Sequence, residues 1–216
     1  MSTVGGEKPV REGSLEKRTA ILAAARDLFA QQGVDRVSMD AVAARAEVSK
    51  RTVYDYFGDK RRLFLAILTA ASDSMLATSR RALDEHLPTD ARITTVPQLE
   101  KALTAFAIDL GTSIVGSADY TAAFALVAQQ RLQTPTTTDD LATDAASQDL
   151  ADRLAHFADA GLLDTDDTRL AADHFTALTV LLAFERQPVP ATADPEKVRQ
   201  IMIDGVHAFV RAYATR

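Results

Sequence analysis

The sequence contains no cysteine. That excludes disulfides, thiolate nucleophiles and cysteine-ligated zinc. No apolar run reaches the roughly 18 residues that a membrane-crossing helix requires. The opening stretch MSTVGGEKPVREGSLEKR carries no apolar core of a secretion signal, so a cytoplasmic protein is expected. Also missing are G-x-S-x-G, a glycine-rich phosphate loop, a dinucleotide fingerprint and H-E-x-x-H. The four histidines are His86, His156, His174 and His207, and none forms a close sequence pair with carboxylates at metal spacing. Asp173 and His174 are adjacent, so on a helix their side chains diverge. No catalytic site, cofactor or metal is therefore expected. Strand-like alternation and internal repeats are absent as well.

What remains is a helical chain of 216 residues, 47% of them apolar, enough to bury a sizeable core. The net charge of −6 is unevenly spread. Residues 1–62 hold 12 Lys/Arg against 9 Asp/Glu, net +3, whereas residues 63–216 hold 12 against 21, net −9. A basic head on an acidic body is compatible with a tethered DNA-binding unit.

Residues 1–13, with Gly5, Gly6, Pro9 and Gly13, read as a flexible arm. From Ser14 to Gln32, Ile21, Leu22, Ala25, Leu28 and Phe29 recur at helical spacing, and Gly33 is suited to end that helix in a left-handed conformation. Ser38 is placed to cap a second helix whose Met39, Val42, Ala43 and Ala46 face inward. After a short turn, Ser49 is placed to cap a third helix ending near Phe57, and Asp59 a fourth running from Lys60 to about Leu83. Residues 14–62 thus form a three-helix head containing a helix-turn-helix, followed by a helical body over 63–216.

Within the head, Val53 and Phe57 anchor the back of the third helix and leave an outer face free to enter a major groove. Lys50, Arg51 and Thr52 lie at its entry, where they can reach base edges or phosphates, and Ser49 stands beside them. Tyr54 and Tyr56 can donate to backbone oxygens. Lys60 and Ser38, at two helix starts, are placed for phosphates.

In the body, helices are expected around Leu99–Ile114, around Tyr120–Leu132, over Leu141–Ala160, through FTALTVLLAF and over the final stretch to Tyr213. An apolar pocket is expected around Phe106, Leu110, Phe124, Phe157, His174 and Phe175, suited to an apolar or aromatic small molecule. FTALTVLLAF is apolar nearly all round, more than one core face uses, and the final helix carries a broad apolar stripe. Leu178, Leu181, Leu182, Phe184, Ile201, Val206 and Phe209 are therefore candidates for an interface between two copies of the chain.

The segment TAILAAARDLFAQQGVDRVSMDAVAARAEVSKRTVYDYFGDKRRLFLAIL, residues 19–68, resembles the DNA-binding domain of the TetR family of bacterial transcriptional regulators. DRLAHFADAGLLDTDDTRLAADHFTAL, 152–178, is more weakly similar to a C-terminal ligand and dimerisation domain of some members. The resemblance implies an all-α subunit of about nine helices, a homodimer, a near-palindromic double-stranded operator and a small-molecule inducer that releases DNA. By position, Lys50, Arg51 and Thr52 match the family's base-reading residues, Tyr54 its phosphate-contacting tyrosine, Tyr56 a site usually held by His or Tyr, and Lys60 the lysine that opens helix four. Two alternatives stay open: an activator of the same fold, and a helical ligand-binding module that does not bind DNA. Glu47 stands where the family usually has Gly; if that turn needs positive φ, strain of about 1 kcal/mol follows. Its carboxylate is also placed either to weaken DNA binding or to orient Arg45 or Lys50.

Overall fold

The computed structural model describes residues 12–90, 92–115, 117, 140–188 and 192–215. The fold is all-α, with one isolated antiparallel bridge, Leu163 to Ala214, among the described residues. It divides into two compact units, Met1–Ala70 and Ala71–Arg216, with the boundary inside one long helix.

The first unit contains α1 (Glu12–Gln32), a single 3₁₀ turn (Val34–Arg36), α2 (Met39–Arg45), α3 (Lys50–Phe57) and the start of α4 (Lys60–His86). Its helix starts are fixed by side chains. Ser38 Oγ accepts from Ala41 N at 3.1 Å, Ser49 Oγ from Thr52 N at 3.0 Å, and Asp59 Oδ1 from Arg62 N at 2.8 Å. Each satisfies a donor that would otherwise have no partner in the first turn. Ile21, Phe29, Val42, Val53 and Leu63 are fully buried, and Phe29 meets Phe64 with ring centroids 6.5 Å apart. Gly33 has the expected positive φ of 83°, but its ψ of 146° lies outside the left-handed helical well.

The turn between α2 and α3 is a Schellman closure. Val48 N donates to Ala43 O at 3.0 Å and Glu47 N to Ala44 O at 3.3 Å. This geometry requires a left-handed residue after the helix, a position that usually falls to glycine. Here Glu47 adopts it with φ 55°, the one non-glycine with positive φ among the described residues.

The second unit contains the rest of α4, then α5 (Val96–Val115), α6 (Asp140–Asp159) and α7 (Thr168–Thr176). A π-helical segment (Ala177–Leu181) continues α7 into α8 (Leu182–Arg186), and α9 is Pro195–Tyr213. α6 ends in a second Schellman closure, with Gly161 at φ 73°, Leu162 N on Phe157 O and Gly161 N on Ala158 O. The core stacks aromatics in series: Phe106–Phe175 at 5.8 Å, Phe175–Phe209 edge-on at 5.3 Å and Phe209–Tyr213 stacked at 4.7 Å. α9 approaches the π segment so closely that a Cβ on Gly205 would lie 2.2 Å from the Leu178 carbonyl oxygen. Thr179, buried inside that segment, donates its hydroxyl to Phe175 O at 2.6 Å. The helix expected around Tyr120–Leu132, with Phe124, lies outside the described residues. No helix among the described residues is long and apolar enough to cross a membrane.

Candidate nucleic-acid interface

Helix α3 is two-sided. Val53 is fully buried and Phe57 nearly so, while Lys50, Arg51, Tyr54 and Asp55 are exposed. Arg51 is the freest, 91% exposed, with only Asp55 near it at 3.7 Å. Tyr54 is 43% exposed. The hydroxyls of Ser49 and Thr52 lie 2.7 Å apart, so both are tied to the start of α3 while remaining reachable. Ser38 sits exposed at the start of α2.

Three expected contacts have different surroundings. The Lys60 ammonium donates to Asp35 O at 3.0 Å and Val37 O at 3.2 Å, bracing the turn before α2. The Tyr56 hydroxyl donates to Ser14 O at 3.0 Å and lies 2.7 Å from Ser14 Oγ, so this half-buried ring is stapled to α1. Lys50 is held not by Glu47 but by Asp40 on α2, its Nζ 2.9 Å from each carboxylate oxygen. That hydrogen bond, reinforced by the carboxylate's charge, raises the Lys50 ammonium above its ordinary pKa. Asp40 carries no signal in the sequence beyond its favourable place in a helix's first turn. Behind α3, Arg18, Tyr54, Tyr56, Phe57 and Arg62 line an open surface groove of about 430 Å³. Arg18 lies over the Phe57 ring at 5.8 Å.

In the second unit, Phe106, Phe157 and Phe175 are almost fully buried and Leu110 is 9% exposed, all within one core. His174 departs from the expected pocket: it is exposed, with Nδ1 2.5 Å from the Tyr213 hydroxyl. Of the interface candidates, Val206 and Phe209 are enclosed by their own subunit and present no surface, because they fill the inward face of α9. Leu181 is 50% exposed, and Leu178, Leu182, Phe184 and Ile201 are half-buried.

One titratable cluster escaped the sequence. Arg81 grips Asp109 with two hydrogen bonds, 2.9 and 2.8 Å, and also reaches Glu85 at 3.0 Å. His86 Nε2 lies 2.9 Å from Asp109 Oδ2, although the two residues are 23 positions apart. Arg81's hydrogen bonds pull the Asp109 carboxyl down to about 2; partial burial opposes this and His86 adds to the pull. Glu85, His86 and Asp109 are close enough to share a metal ion, but the guanidinium already occupies and neutralises the carboxylates.

The family models decide what this arrangement belongs to. Residues 21–67 match the model of bacterial regulatory proteins of the tetR family. Residues 101–215, just over half of the chain, match the C-terminal domain of AefR-like transcriptional repressors. The chain belongs to the TetR family. As a TetR-family member it is a DNA-binding regulator rather than an enzyme.

This TetR-family chain is 38% identical over 68 residues to the transcriptional activator FasR of Mycolicibacterium smegmatis. That match spans 32% of this chain and 31% of the activator's own length. In fold it is similar to a TetR-family regulator from Mesorhizobium loti (TM-score 0.71, 22% identity, 94% of this chain and 98% of that one). It is also similar to the flavonoid-responsive regulator FrrA (TM-score 0.62, 28% identity, 93% and 98%).

Proposed function

We propose that this regulator is a homodimeric repressor that binds a near-palindromic double-stranded operator and is released by an apolar or aromatic small molecule. The observation that carries the DNA reading is Arg51, nearly fully exposed at the start of a helix whose opposite side is locked into the core by Val53 and Phe57. Lys50, Thr52 and Tyr54 share the exposed side, with Ser49 and Ser38 at the two helix starts. Arg51 fits the O6 and N7 acceptors of guanine, and the hydroxyls fit phosphate oxygens. Lys60 and Tyr56 act mainly by bracing the helices that present this face.

Repression is supported by the AefR-like C-terminal match, and an aromatic inducer by the likeness to a flavonoid-responsive regulator. The candidate pocket is the aromatic core around Phe106, Leu110, Phe157 and Phe175. For dimerisation, exposed Leu181 and half-buried Leu178, Leu182, Phe184 and Ile201 supply apolar surface without disturbing the core. A ligand can act only by favouring the form of the dimer that does not fit DNA. Activation stays as the second reading because of the likeness to FasR.

The test is a gel shift of the purified dimer on the DNA upstream of its own gene, repeated with saturating flavonoid. A retarded band that flavonoid abolishes supports repression and release. A band that flavonoid leaves unchanged removes that inducer class, and the absence of any band removes the DNA reading.

A further inference from the structure

The pairing of Lys50 with Asp40 concerns the same face and rests on the DNA reading above. Lys50 is the first residue of α3, and Asp40 the second of α2, on the far side of the turn. Both oxygens of the carboxylate lie 2.9 Å from the ammonium. Both side chains are more than half exposed, 58% and 62%. An ion pair so open to water contributes little to stability. Its effect on an approaching polyanion is larger. A lysine closed on a carboxylate brings no net charge to a phosphate, and the carboxylate itself repels phosphates. Arg51 beside it has no such partner closer than 3.7 Å.

We propose that Asp40 is a positioning residue that sets specificity, holding Lys50 away from phosphates until a base edge rich in acceptors replaces the carboxylate. In the major groove the edge that can do so is guanine, with O6 and N7 side by side. On non-cognate duplex no guanine edge stands in register and a phosphate must displace a carboxylate that repels it, so Lys50 stays closed more of the time and its charge is partly withheld from counterion release. Asp40 thereby weakens non-specific binding more than specific binding and widens the gap between them.

Equilibrium binding of the full-length dimer over a range of salt tests this. One labelled duplex carries the DNA upstream of its own gene, and the other is a random sequence of equal length. Asp40→Asn tightens binding to the random duplex about 5-fold at low salt, and its log–log salt slope steepens by roughly 0.9 for each extra phosphate neutralised. Specific binding changes less, so discrimination falls. Adding Lys50→Gln to Asp40→Asn removes both gains, and Asp40→Glu retains wild-type behaviour. A gain that persists undiminished in the Lys50→Gln background overturns the proposal, because the carboxylate then acts only through its field. No change in slope for Asp40→Asn overturns it too. If wild type binds neither duplex, the DNA reading itself has failed; if wild type binds and Asp40→Asn behaves identically, this inference alone has failed.

Discussion

Glu47 occupies, between α2 and α3, the position that Gly161 occupies at the end of α6: the left-handed residue of a Schellman closure. The two backbones are alike, φ 55° and 73°, yet only one carries a Cβ. A left-handed conformation costs a side-chain-bearing residue about 1–2 kcal/mol, partly offset by the greater freedom glycine loses on folding. Glu47→Gly should therefore stabilise the head by about 0.5–1 kcal/mol, and Gly161→Ala should destabilise the body by about 1 kcal/mol. Urea denaturation followed by circular dichroism checks both signs.

Arg51 and Lys60 should separate reading from bracing. Arg51 touches little, so Arg51→Ala should leave the melting temperature unchanged while weakening DNA binding. Lys60→Met removes two hydrogen bonds to the Asp35 and Val37 carbonyls and should destabilise the head by about 1–2 kcal/mol. Paired thermal melts and binding titrations distinguish the two outcomes.

Asp109 makes a prediction in pH. Its folded-state pKa, about 2, lies below its ordinary value of 3.8, so its contribution is fully present above about pH 4 and is lost as pH falls toward 2. Allowing for solvent screening, the contribution is about 1–2 kcal/mol. Asp109→Asn should remove that part of the acid sensitivity and destabilise the body at neutral pH, by leaving Arg81 and His86 without their shared partner. Urea midpoints measured from pH 2 to pH 7 for both proteins provide the check.

Gly205 should tolerate no side chain. The nearest atom to an added Cβ is a backbone oxygen at 2.2 Å, with Thr179 Cγ2 at 2.9 Å, so nothing flexible can move aside. Gly205→Ala should destabilise the body by about 1–3 kcal/mol, whereas Gly13→Ala, which meets open space, should be neutral or slightly stabilising. Thermal melts of the two variants make the comparison.

The head was legible in the sequence because its signals are local. Ser38, Ser49 and Asp59 cap helices three or fewer residues away, and the alternation of Val53 and Phe57 with charged residues defines both sides of α3. Lys60, Tyr56 and Lys50 were legible as residues but not as contacts, since each long side chain takes a partner from another element, up to 42 positions away. The same reason hid His86 and Asp109. Val206 and Phe209 lie on the apolar stripe of α9, and a stripe alone does not say whether its own subunit or a second copy covers it. The π segment over Ala177–Leu181 has no composition of its own, and it is the close approach of α9 to it that needs Gly205.

DNA recognition rests on the outward face of α3, and its most direct test is fluorescence anisotropy of the labelled upstream duplex with wild type and Arg51→Ala. Loss of a bidentate guanine contact should weaken specific binding by about 5- to 150-fold, equivalent to 1–3 kcal/mol, and random-duplex binding far less. Equal affinity of the two proteins for the upstream duplex would contradict it.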